Sequence, residues 1–316
     1  KMKKILEAPI LITGAAGFIG SNLTRYLLSK GLEVNIIIRN QTNTWRINDI
    51  IKDIKIHIVD LSDEIKVRKI INQIKPRTIF HLAAYGAYPY QNEMEIIKLI
   101  NLDCTINLLK ACENVGFKIF VNTGSNSEYG IKNSAMKESD LLMPNSYYSV
   151  FKSASTLYCQ YESITKKIPI ITLRPFHVYG PYEEKTRFVP VLITNLLKGK
   201  CPPLVSPNIK RDMIYINDAI DFYITVAKNK IELGGVYNLG TGIEYSIQDI
   251  VNIAIDIIGV DIEPSWNTME NRSWDHEKWK ADMTLVKNTY KWVPKINLFN
   301  GLENTIQWYK QLDYDK

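Results

Sequence analysis

Apolar residues in this chain fall into short β-branched runs, separated by stretches where they recur every three or four positions. The runs at 8–13, 34–38, 54–59, 78–82, 119–122 and 170–174 have the length of buried strands. Between them, 19–30, 63–74, 96–115 and 148–165 carry helical spacing; the first stops at Gly31 and the second just before Pro76. Strand and helix alternating over about 170 residues predict an α/β fold with a parallel sheet wound on both faces. After Arg174 the pattern is broken by Pro175, Pro181, Pro190, Pro202, Pro203 and Pro207, although 212–216 and 235–238 still read as strands. The expected organisation is a parallel-sheet domain over 1–173 with returns near 212–240, and a smaller, interleaved C-terminal domain over 174–316.

Composition narrows the function. With 316 residues, 46% of them hydrophobic, the chain has ample apolar material for a core. Its net charge of +6, from 39 basic and 33 acidic residues, is scattered and forms no basic stripe interleaved with aromatics, so no nucleic-acid partner is expected. An anionic small molecule fits that balance better. Cys104, Cys112, Cys159 and Cys201 show neither a Cys-x-x-Cys spacing nor a nearby His. They read as free, mostly buried thiols in a reducing cytoplasm, and no metal site is expected. No signal pattern opens the sequence, and no apolar run approaches the roughly 18 residues of a membrane helix.

Two motifs carry chemistry. Gly14-Ala-Ala-Gly17-Phe18-Ile19-Gly20 lies between a predicted strand and a predicted helix. Glycines there permit a tight turn, let backbone N–H groups approach a pyrophosphate, and let the helix pack close to the sheet. Downstream, Tyr148 and Lys152 are four apart on one helix face. An ammonium at 152 stabilises the phenolate of Tyr148, which can then exchange a proton with a sugar oxygen while a hydride moves at the carbon beneath. Tyr147 is the rival, but only Tyr148 has Lys at plus four.

These motifs, with Phe80-His-Leu-Ala-Ala84, Asn101, Thr123 to Gly130, Leu173 to Pro181, Arg211 to Asp218 and Asn238 to Gly242, resemble the extended short-chain dehydrogenase/reductases of the nucleotide-sugar epimerase, reductase and dehydratase group. The resemblance implies a Rossmann domain and a homodimer joined by a four-helix bundle built from 96–115 and 148–165. It places Ser125 at the catalytic Ser/Thr position, with Ser127 the nearest rival. Cofactor contacts fall on Gly14, Gly17, Phe18, Ile19, Gly20, Asp60, Leu61, Leu82, Ala83, Ala84, Asn101, Thr123, Tyr148, Lys152 and Phe176. Substrate contacts fall on Tyr85, Ser125, Asn126, His177, Arg211 and Arg272, the two arginines matching a pair that clamps a sugar-nucleotide diphosphate.

Three positions refine the expectation. The second strand ends Ile38-Arg39-Asn40 without a carboxylate, and Arg39 can meet a 2′-phosphate, favouring NADP(H) over NAD(H). In the group's 4,6-dehydratases the catalytic Thr is followed by Asp and Glu; here Asn126 and Ser127 stand there, which argues against dehydration. Glu128 is one place too far along and, in an extended segment, faces the other way. His177 replaces the usual Asn, as in relatives that reduce 4-keto-6-deoxyhexoses, although it also reads as a satisfied buried imidazole. The expected reaction is NADPH-dependent reduction of a nucleotide-linked 4-keto-6-deoxyhexose at C4. The alternative is a 4-epimerase retaining NAD, and the remote one an inactive nucleotide-binding scaffold.

Overall fold

The computed structural model describes residues 6–88, 90–229, 232–269 and 279–314. The order is β1 (Ile10–Thr13), α1 (Phe18–Ser29), β2 (Val34–Ile38), β3 (Lys55–Ile58), α2 (Glu64–Ile74), β4 (Thr78–His81), α3 (Met94–Lys98), α4 (Cys104–Val115) and β5 (Ile119–Thr123). Then come α5 (Tyr147–Lys166), β6 (Ile170–Pro175), β7 (His177–Tyr179), α6 (Phe188–Leu196), β8 (Lys210–Tyr215), α7 (Ile216–Lys228), β9 (Val236–Leu239), β10 (Glu244–Ser246), α8 (Ile247–Ile258), α9 (Thr284–Tyr290) and α10 (Leu298–Tyr314).

The chain forms two compact units: Lys1–Gly130 with Leu141–Pro175 and Ile220–Tyr237, and Ile131–Asp140 with Phe176–Ala219 and Asn238–Lys316. Among the described residues the large sheet has seven strands in the order β3-β2-β1-β4-β5-β6-β9, with the neighbours from β3 to β6 parallel. Interior strands β1 (Ile-Leu-Ile-Thr) and β4 (Thr-Ile-Phe-His) are buried at every position, whereas the edge strand β3 is exposed at Lys55 and Ile58. Burial on both faces explains why these strands read as continuous apolar runs. One face packs Leu11, Ile79 and Phe120 against Val67 and Ile71 of α2 and Leu108, Leu109 and Cys112 of α4. Each such Leu or Ile contributes roughly 1.5–3 kcal/mol. Strand order reverses between β1 and β4, so the crevice at their carboxyl ends is where this architecture places its ligand.

Two elements differ from the pattern reading. The helix expected over 96–115 is interrupted by a π turn at Leu99–Asp103. There the Asn101 amide donates to the Ile97 carbonyl at 2.9 Å and the Thr105 hydroxyl to the Asn101 carbonyl at 3.0 Å, so side chains compete with the helical ladder. β8, read as a strand from 212–216, joins a small sheet ordered β10-β8-β7, whereas β9 lies in the large sheet and α7 from Ile220 onward belongs with that sheet's unit. Periodicity specifies a strand but not its neighbour.

Candidate active site

The glycine turn follows β1 directly. The Gly17 N–H donates to the Gly14 carbonyl at 2.9 Å, closing the turn, and the Ser21 N–H donates to the Gly17 carbonyl as α1 begins. Gly14 has φ +72°, and a Cβ there would meet the Leu82 carbonyl oxygen at 2.7 Å and the Ala83 nitrogen at 2.6 Å. A Cβ on Gly20 would run into the Gly14 carbonyl. Thus the turn, the loop at Leu82–Ala84 and the start of α1 at Phe18 and Ile19 lie backbone against backbone. Such a cradle at the N-terminus of a helix fits the pyrophosphate of a dinucleotide. Asn101 holds the next part of the wall: its amide donates to the Tyr85 carbonyl at 2.6 Å and accepts from the Tyr85 N–H at 3.2 Å.

The chemistry-bearing residues sit on β5, the turn after it, and α5. Helix α5 starts with a reciprocal cap, Ser146 accepting from the Ser149 N–H at 3.2 Å and Ser149 accepting from the Ser146 N–H at 2.9 Å. That cap fixes Tyr148 in the first turn, half-buried, while the rival Tyr147 is 54% exposed. Lys152 is buried, and its ammonium donates to the carbonyl of Thr123 at the end of β5. Burial draws the Lys152 pKa down to about 8, against the Glu128 carboxylate, which holds it up. Thr123 also shares a hydrogen bond of 2.9 Å with the hydroxyl of Tyr223, a buried phenol within electrostatic reach of Tyr148.

Ser125 is the N-cap of a 3-10 turn, Asn126–Tyr129, and its hydroxyl lies 2.8 Å from that of Ser127. The segment is therefore not extended, which corrects the expectation for Glu128. That side chain is fully buried; it accepts from the Ser125 N–H at 2.7 Å, the Thr156 hydroxyl at 3.1 Å and Arg174 Nε at 2.9 Å. Arg174 in turn lies 4.7 Å from the centre of the Tyr129 ring. The sequence reading set Glu128 aside and gave Thr156 and Arg174 no role. The available signal was a lone arginine in the otherwise uncharged strand Ile-Ile-Thr-Leu-Arg-Pro, which requires a buried anion.

In the second unit, His177 lies on β7 beside Met213 of β8. Its Nδ1 is buried with no hydrogen-bond partner, and Trp279 meets the ring edge-on at 6.3 Å. Burial first, then the charges of Arg211 and Arg187, push its pKa well below the ordinary imidazole value, so it is neutral. The satisfied imidazole is not what is found. Arg211 donates through Nη1 to the Lys210 carbonyl at 2.8 Å, and its buried neighbour Asp212 accepts from Thr241 N, Thr241 Oγ1, Gly242 N and Ala281 N at 2.6–3.0 Å. Phe176 is buried at the start of this unit, its N–H donating to the Leu239 carbonyl. Arg272 lies outside the described residues.

A glycine cradle after β1, with a buried lysine and a half-buried tyrosine one helical turn apart, defines a dinucleotide-dependent oxidoreductase site. The chain belongs to the NAD dependent epimerase/dehydratase family, whose model matches residues 10–240. It is 26% identical to a dTDP-D-glucose 4,6-dehydratase of Dictyostelium discoideum, over 95% of this chain and 81% of that one. Among solved structures it is similar to a UDP-glucuronic acid 4-epimerase of Bacillus cereus bound to UDP-glucuronic acid and NAD (28% identity, 96% and 99% coverage, TM-score 0.84). It is also similar to a UDP-N-acetylglucosamine 4-epimerase of Methanobrevibacter ruminantium (26% identity, 96% and 98% coverage, TM-score 0.87).

These relatives overturn the expectation of NADP(H). Six of the similar solved structures hold NAD, the B. cereus enzyme among them. The physical reason lies at the end of β3, where the Asp60 carboxylate is within electrostatic reach of Arg39. Its negative charge offsets the cation that was to meet a 2′-phosphate. Asp60 also orders the following turn, accepting from the Ser62 N–H at 2.9 Å and its hydroxyl at 2.7 Å.

Proposed function

We propose that this chain is a nucleotide-sugar 4-epimerase that retains NAD(H). The observation that carries the reading is Lys152, one helical turn beyond Tyr148, bonded to the end of β5 two residues before Ser125, with only Asn126 and Ser127 where elimination of water would need an acid and a base. Gly14, Gly17 and Gly20 would hold the pyrophosphate, Asp60 and Leu61 the adenosine end, and Lys152 the nicotinamide ribose. Bound NAD supplies reversible hydride transfer at the sugar C4. Tyr148 takes the proton of the C4 hydroxyl and gives it back once the sugar has presented its other face. The Ser125 hydroxyl hydrogen-bonds the same oxygen, and the Lys152 ammonium stabilises the phenolate between the two proton transfers. The family resemblance assigns the diphosphate to Arg211 and Arg272, and the sugar to Tyr85, Asn126 and His177. The epimerases from B. cereus and M. ruminantium support this reading over reduction.

Free cysteines at 104, 112, 159 and 201 support a cytoplasmic setting. Among the described residues no helix is long and apolar enough to cross a membrane. We further propose a homodimer formed through α5 and its neighbour α3.

The test is to denature the purified protein, identify the released nicotinamide, and offer UDP-glucose, UDP-N-acetylglucosamine and UDP-glucuronic acid. Retained NAD, formation of a 4-epimer and no net cofactor consumption are the expected results. Stoichiometric loss of reduced cofactor, or a 4-keto-6-deoxy product, overturns the proposal. Tyr148→Phe should lower kcat by about 10²–10⁴ while leaving NAD binding intact.

A further inference from the structure

The Glu128 carboxylate has no part in the proton transfers above, yet it is the most completely surrounded ionisable group near them. Its Oε1 accepts from the Ser125 backbone N–H at 2.7 Å and from the Thr156 hydroxyl at 3.1 Å; its Oε2 accepts from Arg174 Nε at 2.9 Å. Three donors face these oxygens, two of them N–H groups that cannot accept, which suits the carboxylate; burial pushes its pKa above the ordinary carboxyl value, against the pull of the Arg174 charge. Thr156 is one helical turn beyond Lys152 and two beyond Tyr148, on the same face of α5. One carboxylate therefore grips the turn that carries Ser125 with one bond and the helix that carries Tyr148 and Lys152 with another. Arg174, only 4% exposed and seated on the Tyr129 ring, anchors both to β6.

We propose that Glu128 is a positioning residue: as a buried carboxylate clamped by Arg174, it fixes the Ser125 turn against the Tyr148–Lys152 face of α5 and keeps the Lys152 ammonium charged. The second effect follows from what surrounds Lys152. It faces the Thr123 carbonyl from β5, His81 from the end of β4, Cys159 and Tyr148 from its own helix, and Glu128 from the 3-10 turn. Among these, Glu128 is the carboxylate. Burial alone favours the neutral amine, and Glu128 opposes it; removing that anion should make the proton easier to lose.

The clamp is tested with Thr156→Val, which removes one hydroxyl from the helix end, and with Glu128→Gln/Arg174→Gln, which removes both charges while keeping an acceptor near Ser125. Lys152 is followed in the cofactor-free protein by NMR of ε-carbon-labelled lysine, its signal assigned by its loss in Lys152→Met. The wild-type midpoint is expected near pH 8 and that of the double variant below it, since Glu128 is the charge that holds the Lys152 proton. With UDP-sugar substrate and NAD, Thr156→Val should lose several-fold in kcat, and the double variant more than tenfold. In both, KM, NAD affinity and thermal midpoint should stay near wild type. The inference is overturned if Lys152 titrates as in the wild type in the double variant and Thr156→Val turns over normally, for then the ion pair only stabilises the fold. It rests on the epimerase reading for its kinetic arm alone. Should the wild type lack turnover with every sugar offered, that reading fails, and the lysine titration still decides the electrostatic half.

Discussion

His81 shows how a single side chain can be set by partners far away in sequence. It is 2% exposed, with Thr13 Oγ1 at 2.6 Å from Nδ1 and Thr105 Oγ1 at 2.9 Å from Nε2. Because the Thr105 hydroxyl already donates to the Asn101 carbonyl, it accepts from Nε2–H, and Nδ1 accepts from Thr13. Burial, reinforced by the nearby Lys152 ammonium, pushes the imidazole pKa down to about 3. In the unfolded chain it returns to about 6.5, so the unfolded state takes up its proton first and stability is lost as pH falls from about 6.5 toward 3. Between pH 7 and pH 5 this group alone should cost about 2 kcal/mol. Urea unfolding of His81→Asn should show a correspondingly flatter dependence over that range; an unchanged slope would refute the assignment. The sequence marked His81 only as part of a family motif. Its partners are 68 and 24 residues away, and no local pattern announces them. Tyr148 and Lys152 were legible for the opposite reason, since four residues on a helix already imply adjacency.

At the scale of the element, α5 is inside out. Its buried face is Ser149, Lys152, Ser153, Ser155, Thr156, Cys159, Glu162 and Ser163, nearly all polar. Its outer face carries Tyr147, Val150, Leu157, Tyr161 and Ile164, each between 41% and 62% exposed. With Ala154 these positions follow the alternating three-four spacing of a helix–helix seam. Met94, Ile96 and Leu99, on and just after the neighbouring α3, are also exposed. Apolar spacing told that 148–165 is a helix but not which way it faces, because an apolar stripe is the same whether its own core or another chain covers it. The polar inner face instead serves the site, giving Lys152 and Thr156 to β5 and the 3-10 turn. If a second copy covers the outer stripe, light scattering should give twice the chain mass. Replacing Leu157 and Tyr161 together with Lys should then yield a monomer with unchanged far-ultraviolet circular dichroism. A wild type that is monomeric at micromolar concentration would remove the dimer.

For the molecule as a whole, alternating strand and helix made the large sheet legible, since each element declares its own period. Sheet membership was not: β8 and β9 read alike, yet β8 pairs with β7 and β10 while β9 neighbours β6. Choice of nicotinamide was misread from Arg39 alone for a related reason, because Asp60, which sits opposite that charge, follows a different strand. The consequence can be measured on the intact protein stripped of nucleotide. A ligand that binds only the folded state adds stability as its concentration exceeds its dissociation constant, about 2.7 kcal/mol at a hundredfold excess, or several degrees in thermal midpoint. NAD should produce that rise. NADP at the same concentration should produce much less, because its additional phosphate meets the Asp60 carboxylate as well as the Arg39 cation. Asp60→Asn should narrow the gap by raising the NADP response, whereas Gly20→Val should abolish both responses, since a side chain there collides with the Gly14 carbonyl and opens the turn. Equal stabilisation of the wild type by NAD and NADP would show that Asp60 does not govern the choice.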